Sequence, residues 1–180
     1  MTIIPTEFEG LCIIEPNVFA DSRGYFFEGF NKAELENLGL HISIVQTNIS
    51  ESQKGVVRGL HFQNPPYEQG KLIRVLKGGV LDVVVDIRKN STTFGKHFSI
   101  ELTEENKKGL WVPPGFAHGF KTLQDKTLFY YNCTAGYNKE SESSILWNDP
   151  SLGIDWQISD PILSEKDSQA PLFTNLHSKF

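Results

Sequence analysis

Short β-prone runs broken by Gly or Pro recur about every ten residues through most of this chain, and that rhythm restricts the fold more than any other feature. Phe98, Ile100 and Leu102 alternate with Ser99 and Glu101, the two-residue period of a strand with one buried face. Gly78-Gly79 separates the apolar run 72–76 from the run 80–87, which reads as a hairpin. The segment 127–134 is another β-rich run. One helix is expected: Asn31 can cap it, Glu34 stands three residues on as in a capping box, and Gly39 can end it. Leu35 and Leu38 give that helix a narrow apolar stripe. From Asp149 onward, Pro150, Gly153, Pro161 and Pro171 interrupt any regular pattern, so the tail is expected to be an irregular or partly helical cover. The expected class is mainly β, a sandwich or barrel with a few short helices.

At 180 residues the chain matches one ordinary domain, here taken as 1–180, large enough to bury a sizeable core. Its hydrophobic share is a modest 39%, but 13 Phe, 5 Tyr and 3 Trp add bulk. A net charge of −5 argues against a general nucleic-acid binder, which needs a basic surface. It leaves open a phosphorylated small ligand held by a few local Arg and Lys residues. The start Met1-Thr2-Ile3-Ile4-Pro5 has neither a basic lead nor a long apolar core, so no secretory signal is expected. No apolar run approaches the roughly 20 residues of a membrane helix. Cys12 and Cys133 lack any CxxC or Cys/His ligand spacing and are expected to be free and buried, in keeping with a reducing, cytoplasmic home.

Chemistry concentrates in Arg58-Gly59-Leu60-His61-Phe62-Gln63, with Lys71 ten residues after the histidine, and in the turn Val112-Pro113-Pro114-Gly115-Phe116-Ala117-His118-Gly119-Phe120. A histidine can take a proton from carbon, and a lysine can hold the enolate oxygen that results. Pro113-x-Gly115-x-x-His118 has the spacing of the second half of the cupin signature. The first half supplies His-x-His in metal-binding cupins, but here it reads His61-Phe62-Gln63. Two histidines without a third ligand suit iron or zinc poorly, so no metal is expected and His61 is free to act as a base. Each of these residues also has a plainer reading. His61 and His118 can be satisfied barrel histidines, Lys71 a surface lysine and Asp167 a solvated carboxylate. Glu104-Glu105 and Lys107-Lys108 read as a solvated turn, and Val83-Val84-Val85 reads as core.

Six motifs in register resemble one family. They are residues 19–28 (FADSRGYFFE), 58–63 (RGLHFQ), 114–120 (PGFAHGF), 147–150 (WNDP), 153–156 (GIDW) and 163–167 (LSEKD). The chain resembles the dTDP-4-dehydrorhamnose 3,5-epimerases almost throughout. The resemblance implies a cupin-like jelly-roll β-barrel, a homodimer with strand exchange, and no cofactor. It also implies a nucleotide-sugar substrate, a dTDP-linked 4-keto-6-deoxyglucose, epimerised at carbons 3 and 5. His61 matches the family's base, Asp167 the carboxylate paired with it, and Lys71 the cation facing the C4 oxygen. Tyr131 matches the proton donor. Tyr130 is its competitor, and strand alternation with Phe129 favours Tyr131. Arg23, Arg58 and Lys166 match diphosphate or sugar contacts, while Phe26, Glu28, Gln46, Thr47, Asn48, His118 and Glu142 fall at ligand-contacting positions. Tyr137 matches an aromatic that stacks on the base, and Arg23 and Glu28 are expected to reach the partner subunit's site. Three residues depart from the family pattern: Thr47 replaces a common aspartate, Asn132 a usual lysine, and Gly136 one of two adjacent aromatics. Those departures bear on the nucleotide preference. The alternatives are a single-centre epimerase on a related dTDP-, GDP- or CDP-linked sugar, a 3,4-ketoisomerase, and a non-catalytic nucleotide-sugar-binding cupin.

Overall fold

A computed structural model describes residues 1–180. Strands β1 (Thr2–Pro5), β2 (Cys12–Glu15), β3 (Phe19–Asp21) and β4 (Gly24–Phe26) lead to helix α1 (Lys32–Asn37). The main body follows as β5 (Gln46–Ser52), β6 (Val57–Gln63), β7 (Lys71–Lys77), β8 (Gly79–Asp86), β9 (His97–Thr103), β10 (Gly109–Val112), β11 (Phe116–Thr122) and β12 (Thr127–Cys133). The short β13 (Glu142–Ser144), helix α2 (Glu165–Ser168) and a 3-10 turn at Phe173–Asn175 complete the chain. One sheet has six strands in the order β1-β2-β10-β7-β12-β5, and a second has five in the order β13-β6-β11-β8-β9. This is the mainly β, jelly-roll architecture expected of a cupin-like chain. No helix is long and apolar enough to cross a membrane.

The hairpin expected around Gly78-Gly79 does not form. β7 pairs with β10 and β12, whereas β8 pairs with β9 and β11 in the other sheet. Gly78, at a φ of +75°, lets the chain cross from sheet to sheet. The physical reason is burial. Ile73 and Val75 of β7 meet Val80 and Val84 of β8 face to face in one apolar cluster with Phe116, Phe120 and Phe129, which edge-to-edge pairing would not allow.

Every residue of β8 is buried because both of its faces are covered. The residues alternating with Val80 and Val84, namely Leu81, Val83 and Val85, pack under Trp147, Leu152 and Trp156 of the tail. The irregular tail is therefore a structural lid on the second sheet, and the indole Nε1 of Trp156 donates to the Trp147 carbonyl at 2.7 Å. On the first sheet, Leu35 and Ile42 cover Ile14, Leu72 and Trp111. Asn31 caps α1 by accepting from the Glu34 backbone at 3.1 Å. Glu34 does not close the expected capping box; its carboxylate takes the Met1 ammonium at 2.5 Å. Of the expected stripe only Leu35 is buried, and Leu38 is 46% exposed. Both cysteines are free and buried.

One irregularity shapes the interior. The pairing of β6 with β11 shifts register between His118 and Phe120, where Gly59 and Gly119 meet. Gly59 has a φ of +134°, and a Cβ there would stand 2.5 Å from the Gly119 Cα. Gly59→Ala is therefore expected to destabilise the fold by about 3 kcal/mol, combining a backbone region reserved for glycine with a backbone clash. Chemical denaturation checks this: an unchanged midpoint would mean that the two strands have room to part.

Candidate active site

The two sheets face each other across a cavity of about 470 Å³. From the second sheet come Arg58 and His61 on β6 and His118 on β11; from the first come Ser50 on β5, Lys71 on β7, and Phe129 and Tyr131 on β12. The tail closes one side with Ile162, Leu163, Ser164, Lys166 and Asp167. A second compartment of about 350 Å³ shares His61, Lys71 and Tyr131, and is bounded by Gln46, Asn48, Gln63, Gln69, Tyr137 and Glu142.

Arg58 and His61 are three residues apart, an odd separation that strict alternation would send to opposite faces. The irregularity at Gly59 absorbs one residue, so both line the cavity while Val57, Leu60 and Phe62 lie beneath the tail. The register then sets His61 directly opposite His118 on β11. On β12, Tyr131 lines the cavity with Phe129. Tyr130 faces the other way, where its hydroxyl donates to the Asn132 side chain at 3.1 Å.

His61 Nε2 donates to Asp167 Oδ1 at 2.5 Å, leaving Nδ1 as the nitrogen able to take a proton. Burial works against the Asp167 carboxylate, yet hydrogen bonds from His61 and from Ser164 outweigh it and hold its pKa below the ordinary value. Ser164 caps α2 and accepts from the Asp167 backbone, so the carboxylate is fixed by the first turn of that helix. A second pair lies deeper, where His118 Nε2 donates to Asp82 at 2.9 Å. Burial raises the pKa of Asp82 and lowers that of His118, pushing both toward their neutral forms. Lys71 makes no ion pair, and burial lowers its pKa against the opposing attraction of Cys133, Asp82 and Glu142. Burial raises the pKa of Tyr131, which keeps its phenol protonated at neutral pH. At the rim, Lys166 pairs with Glu142 at 2.6 Å, and Tyr137 donates to the same carboxylate at 3.1 Å.

His61, Lys71, Tyr131, Asp167, Arg58, His118 and Lys166 thus converge on the first compartment, and Gln46, Asn48, Tyr137 and Glu142 on the second. Thr47 does not join them. Alternation along β5 turns it to the outer face, where its hydroxyl donates to Asn132 at 2.7 Å, so within one chain it does not line either compartment. Arg23, Phe26 and Glu28 stand apart as well. Arg23 pairs with Asp21 at 2.6 Å on the exposed β3–β4 arm, Phe26 is 64% exposed, and Glu28 accepts from Asn31. Within one chain they do not reach the cavity. Asp82, Gln63 and Gln69 were missed by the sequence reading. Asp82 carried a usable signal, because a lone carboxylate inside an apolar strand needs a buried partner. No group of three or more His, Cys, Asp or Glu side chains is arranged so that it could hold a metal ion.

Chemically, the cavity offers a carboxylate-backed imidazole on one wall, and an unpaired ammonium and a protonated phenol on the other. Such a set can remove a proton from carbon, stabilise the adjacent oxyanion and return a proton from the opposite side.

A family model described as dTDP-4-dehydrorhamnose 3,5-epimerase matches residues 5–175. The Escherichia coli (strain K12) protein of that name is 51% identical over 176 residues, spanning 97% of this chain and 94% of its own. The crystal structure of dTDP-4-dehydrorhamnose 3,5-epimerase from Elizabethkingia anophelis NUHP1 aligns with a TM-score of 0.92 at 50% identity, covering 97% of each chain. The Legionella pneumophila dTDP-6-deoxy-D-glucose-3,5-epimerase, solved in complex with dTDP-4-keto-L-rhamnose, aligns with a TM-score of 0.92 at 47% identity over 97% of this chain and 94% of that one.

Because the unpaired Lys71 ammonium is a burden on folding, Lys71→Met is expected to stabilise the protein by about 1 kcal/mol at neutral pH. A lowered folded pKa means that the native state binds fewer protons than the unfolded state, so the wild-type penalty is full below that pKa. It shrinks as pH rises and disappears above 10.5, where the unfolded lysine also loses its proton. Urea denaturation of both proteins across that range provides the check, and a variant less stable at neutral pH would mean that the ammonium holds the fold together.

Proposed function

This chain belongs to the dTDP-4-dehydrorhamnose 3,5-epimerase family, and from that premise we propose that the cavity between its sheets inverts a sugar by moving protons beside a ketone. The protein is an isomerase that converts dTDP-4-dehydro-6-deoxy-D-glucose into dTDP-4-dehydro-L-rhamnose. His61 Nδ1 removes the hydrogen from a carbon next to C4, and Asp167 stabilises the imidazolium that results. Lys71 holds the oxyanion at C4, a preformed charge in a water-poor site. Tyr131 then delivers a proton from the other wall. The sequence repeats at the second carbon flanking the ketone, and none of these steps calls on a cofactor.

The observation that carries this reading is the placement of His61 and Tyr131 on opposing sheets, with Lys71 on the wall of Tyr131, in one cavity. Inversion requires proton removal and return on opposite faces of one carbon, and opposed walls meet that demand. Arg58 and Lys166 are assigned to the diphosphate or sugar, because both bring positive charge to the cavity of an otherwise acidic protein. Gln46, Asn48, His118 and Glu142 supply further contacts, and the exposed ring of Tyr137 offers a stacking surface for the base.

The working form is read as a homodimer. The β3–β4 arm presents Phe19, Tyr25 and Phe26, each more than half exposed. Ile49 on the outer face of the first sheet is 63% exposed, and Arg74 Nη2 is buried on that sheet without a hydrogen-bond partner. A second copy would cover this apolar surface and carry Arg23, Phe26 and Glu28 to its partner's cavity. The two buried free cysteines fit a reducing, cytoplasmic home.

Incubation with the keto-sugar in heavy water is expected to place deuterium at both C3 and C5. Label at one carbon would indicate a single-centre epimerase, and a moved carbonyl would indicate a ketoisomerase. His61→Ala is expected to cut exchange by about 10³-fold with nucleotide binding retained, and turnover surviving in that variant would end the base assignment. Tyr131→Phe is expected to reduce net inversion more than proton removal, whereas equal losses in both would argue for another donor.

A further inference from the structure

The cupin-type segment His61-Phe62-Gln63 puts a glutamine where metal-binding relatives carry a second histidine, and the reaction above leaves that glutamine without a task. Gln63 is 4% exposed at the end of β6, and each of its contacts is to backbone. Its Nε2 donates to the Tyr67 carbonyl at 2.6 Å and to the Gly136 carbonyl at 3.2 Å. Its Oε1 accepts from the Asn138 backbone N–H at 2.8 Å. Gly136 and Asn138 flank Tyr137, so one buried amide holds the chain on both sides of that ring. Two further glutamines complete the grip: Gln46 Oε1 accepts from the Tyr137 backbone at 2.9 Å, and Gln69 Nε2 donates to the Ala135 carbonyl at 2.8 Å. Despite all this anchoring Tyr137 remains 58% exposed, on the compartment that also contains His61, Lys71 and Tyr131.

A side chain that reads two carbonyls and one N–H must offer two donors and one acceptor on adjacent atoms, which is the inventory of a primary amide. Neutral histidine has a single donor, and glutamate would set a negative oxygen against two carbonyls. The residue type therefore fits the holding of this loop. We propose that Gln63 is a positioning residue for the nucleotide: it presets Tyr137 as a rigid stacking surface, so that the base does not have to order the loop on binding. This rests on the nucleotide-sugar reading above and assigns Gln63 no part in proton transfer.

The test is a double-mutant cycle of Gln63→Met with Tyr137→Ala. It is read by the Kd of thymidine diphosphate in calorimetry, by steady-state kinetics on the keto-sugar, and by thermal unfolding. Gln63→Met alone is expected to weaken Kd and raise KM by about tenfold while kcat stays within about twofold. With Tyr137→Ala already in place, the same change should add less than about twofold. A full tenfold effect without Tyr137, an unmoved Kd, or a loss confined to kcat would each overturn the proposal. Should Gln63→Met fail to fold, Gln69→Met removes only the Ala135 bond. Its expected effect is about threefold on Kd, again absent in the Tyr137→Ala background, and no effect there would also overturn the proposal. Wild-type protein that binds no thymidine diphosphate ends both this inference and the reading beneath it. Wild-type protein that binds it, with a Kd indifferent to Gln63, ends the inference alone.

Discussion

Two sheets packed face to face must fill the space between them, and here part of that space is filled by charged and hydrogen-bonding groups instead of hydrocarbon. Near β8 and β9 the sheets meet through Val80, Val84, Leu102 and Phe116 and form an ordinary dry core. Toward β6 and β12 the same gap widens into a cavity holding His61, His118, Lys71 and Tyr131. The apolar half fixes the distance between the walls, and that distance sets what the polar half can do. His61 hangs from one sheet and Tyr131 from the other, so their separation follows from core packing and does not depend on a mobile loop.

The interior polar groups are unequally satisfied, and the inequality follows their proposed roles. Asp82 is paired with His118, and Asp167 with both His61 and the α2 cap. Either carboxylate left alone at that depth would weigh heavily against folding. Lys71 has no comparable partner, and its ammonium stands near Cys133, Asp82 and Glu142 without forming an ion pair. An ammonium already bound to a carboxylate would have little left to offer a developing oxyanion. Its unpaired state is the arrangement a transient negative charge needs, obtained at the expense of stability.

Much of this was legible from residue order, and the failures have distinct physical causes. Alternation gave the orientation of Phe129 and Tyr131 against Tyr130, and the same rule turns Thr47 outward, although its position between Gln46 and Asn48 suggested a ligand contact. Alternation fails at Gly59, where the extra residue in β6 lets Arg58 and His61 share a wall. Nothing in the local pattern announces that shift except the glycine. The supposed hairpin at Gly78-Gly79 is a failure of another kind. Two apolar strands joined by two glycines look alike whether they pair by edges or stack by faces, and what decides between them is burial against Phe116, Phe120 and Phe129, which lie far off in sequence. Asp82 and Gln63 act through partners 36 and 75 residues away in sequence, a distance no local reading spans.

On the proposed assignment, one imidazole and one phenol suffice for two stereocentres because of the sugar's own geometry. In the chair of a 4-keto-6-deoxyglucose the substituents at C3 and C5 are equatorial, so the hydrogens at C3 and C5 are axial and lie on the same face. A base beneath C4 is near both of them, and a donor above the ring faces both carbons from the opposite side. Lys71, held at the C4 oxygen, serves the enolate toward C3 and the enolate toward C5 alike, since both place their charge on one atom. No second catalytic set is needed on either wall. Once one carbon has changed hand, the other must in turn be deprotonated and presented to Tyr131, inside a cavity whose apolar lining includes Phe120, Phe129 and Leu163.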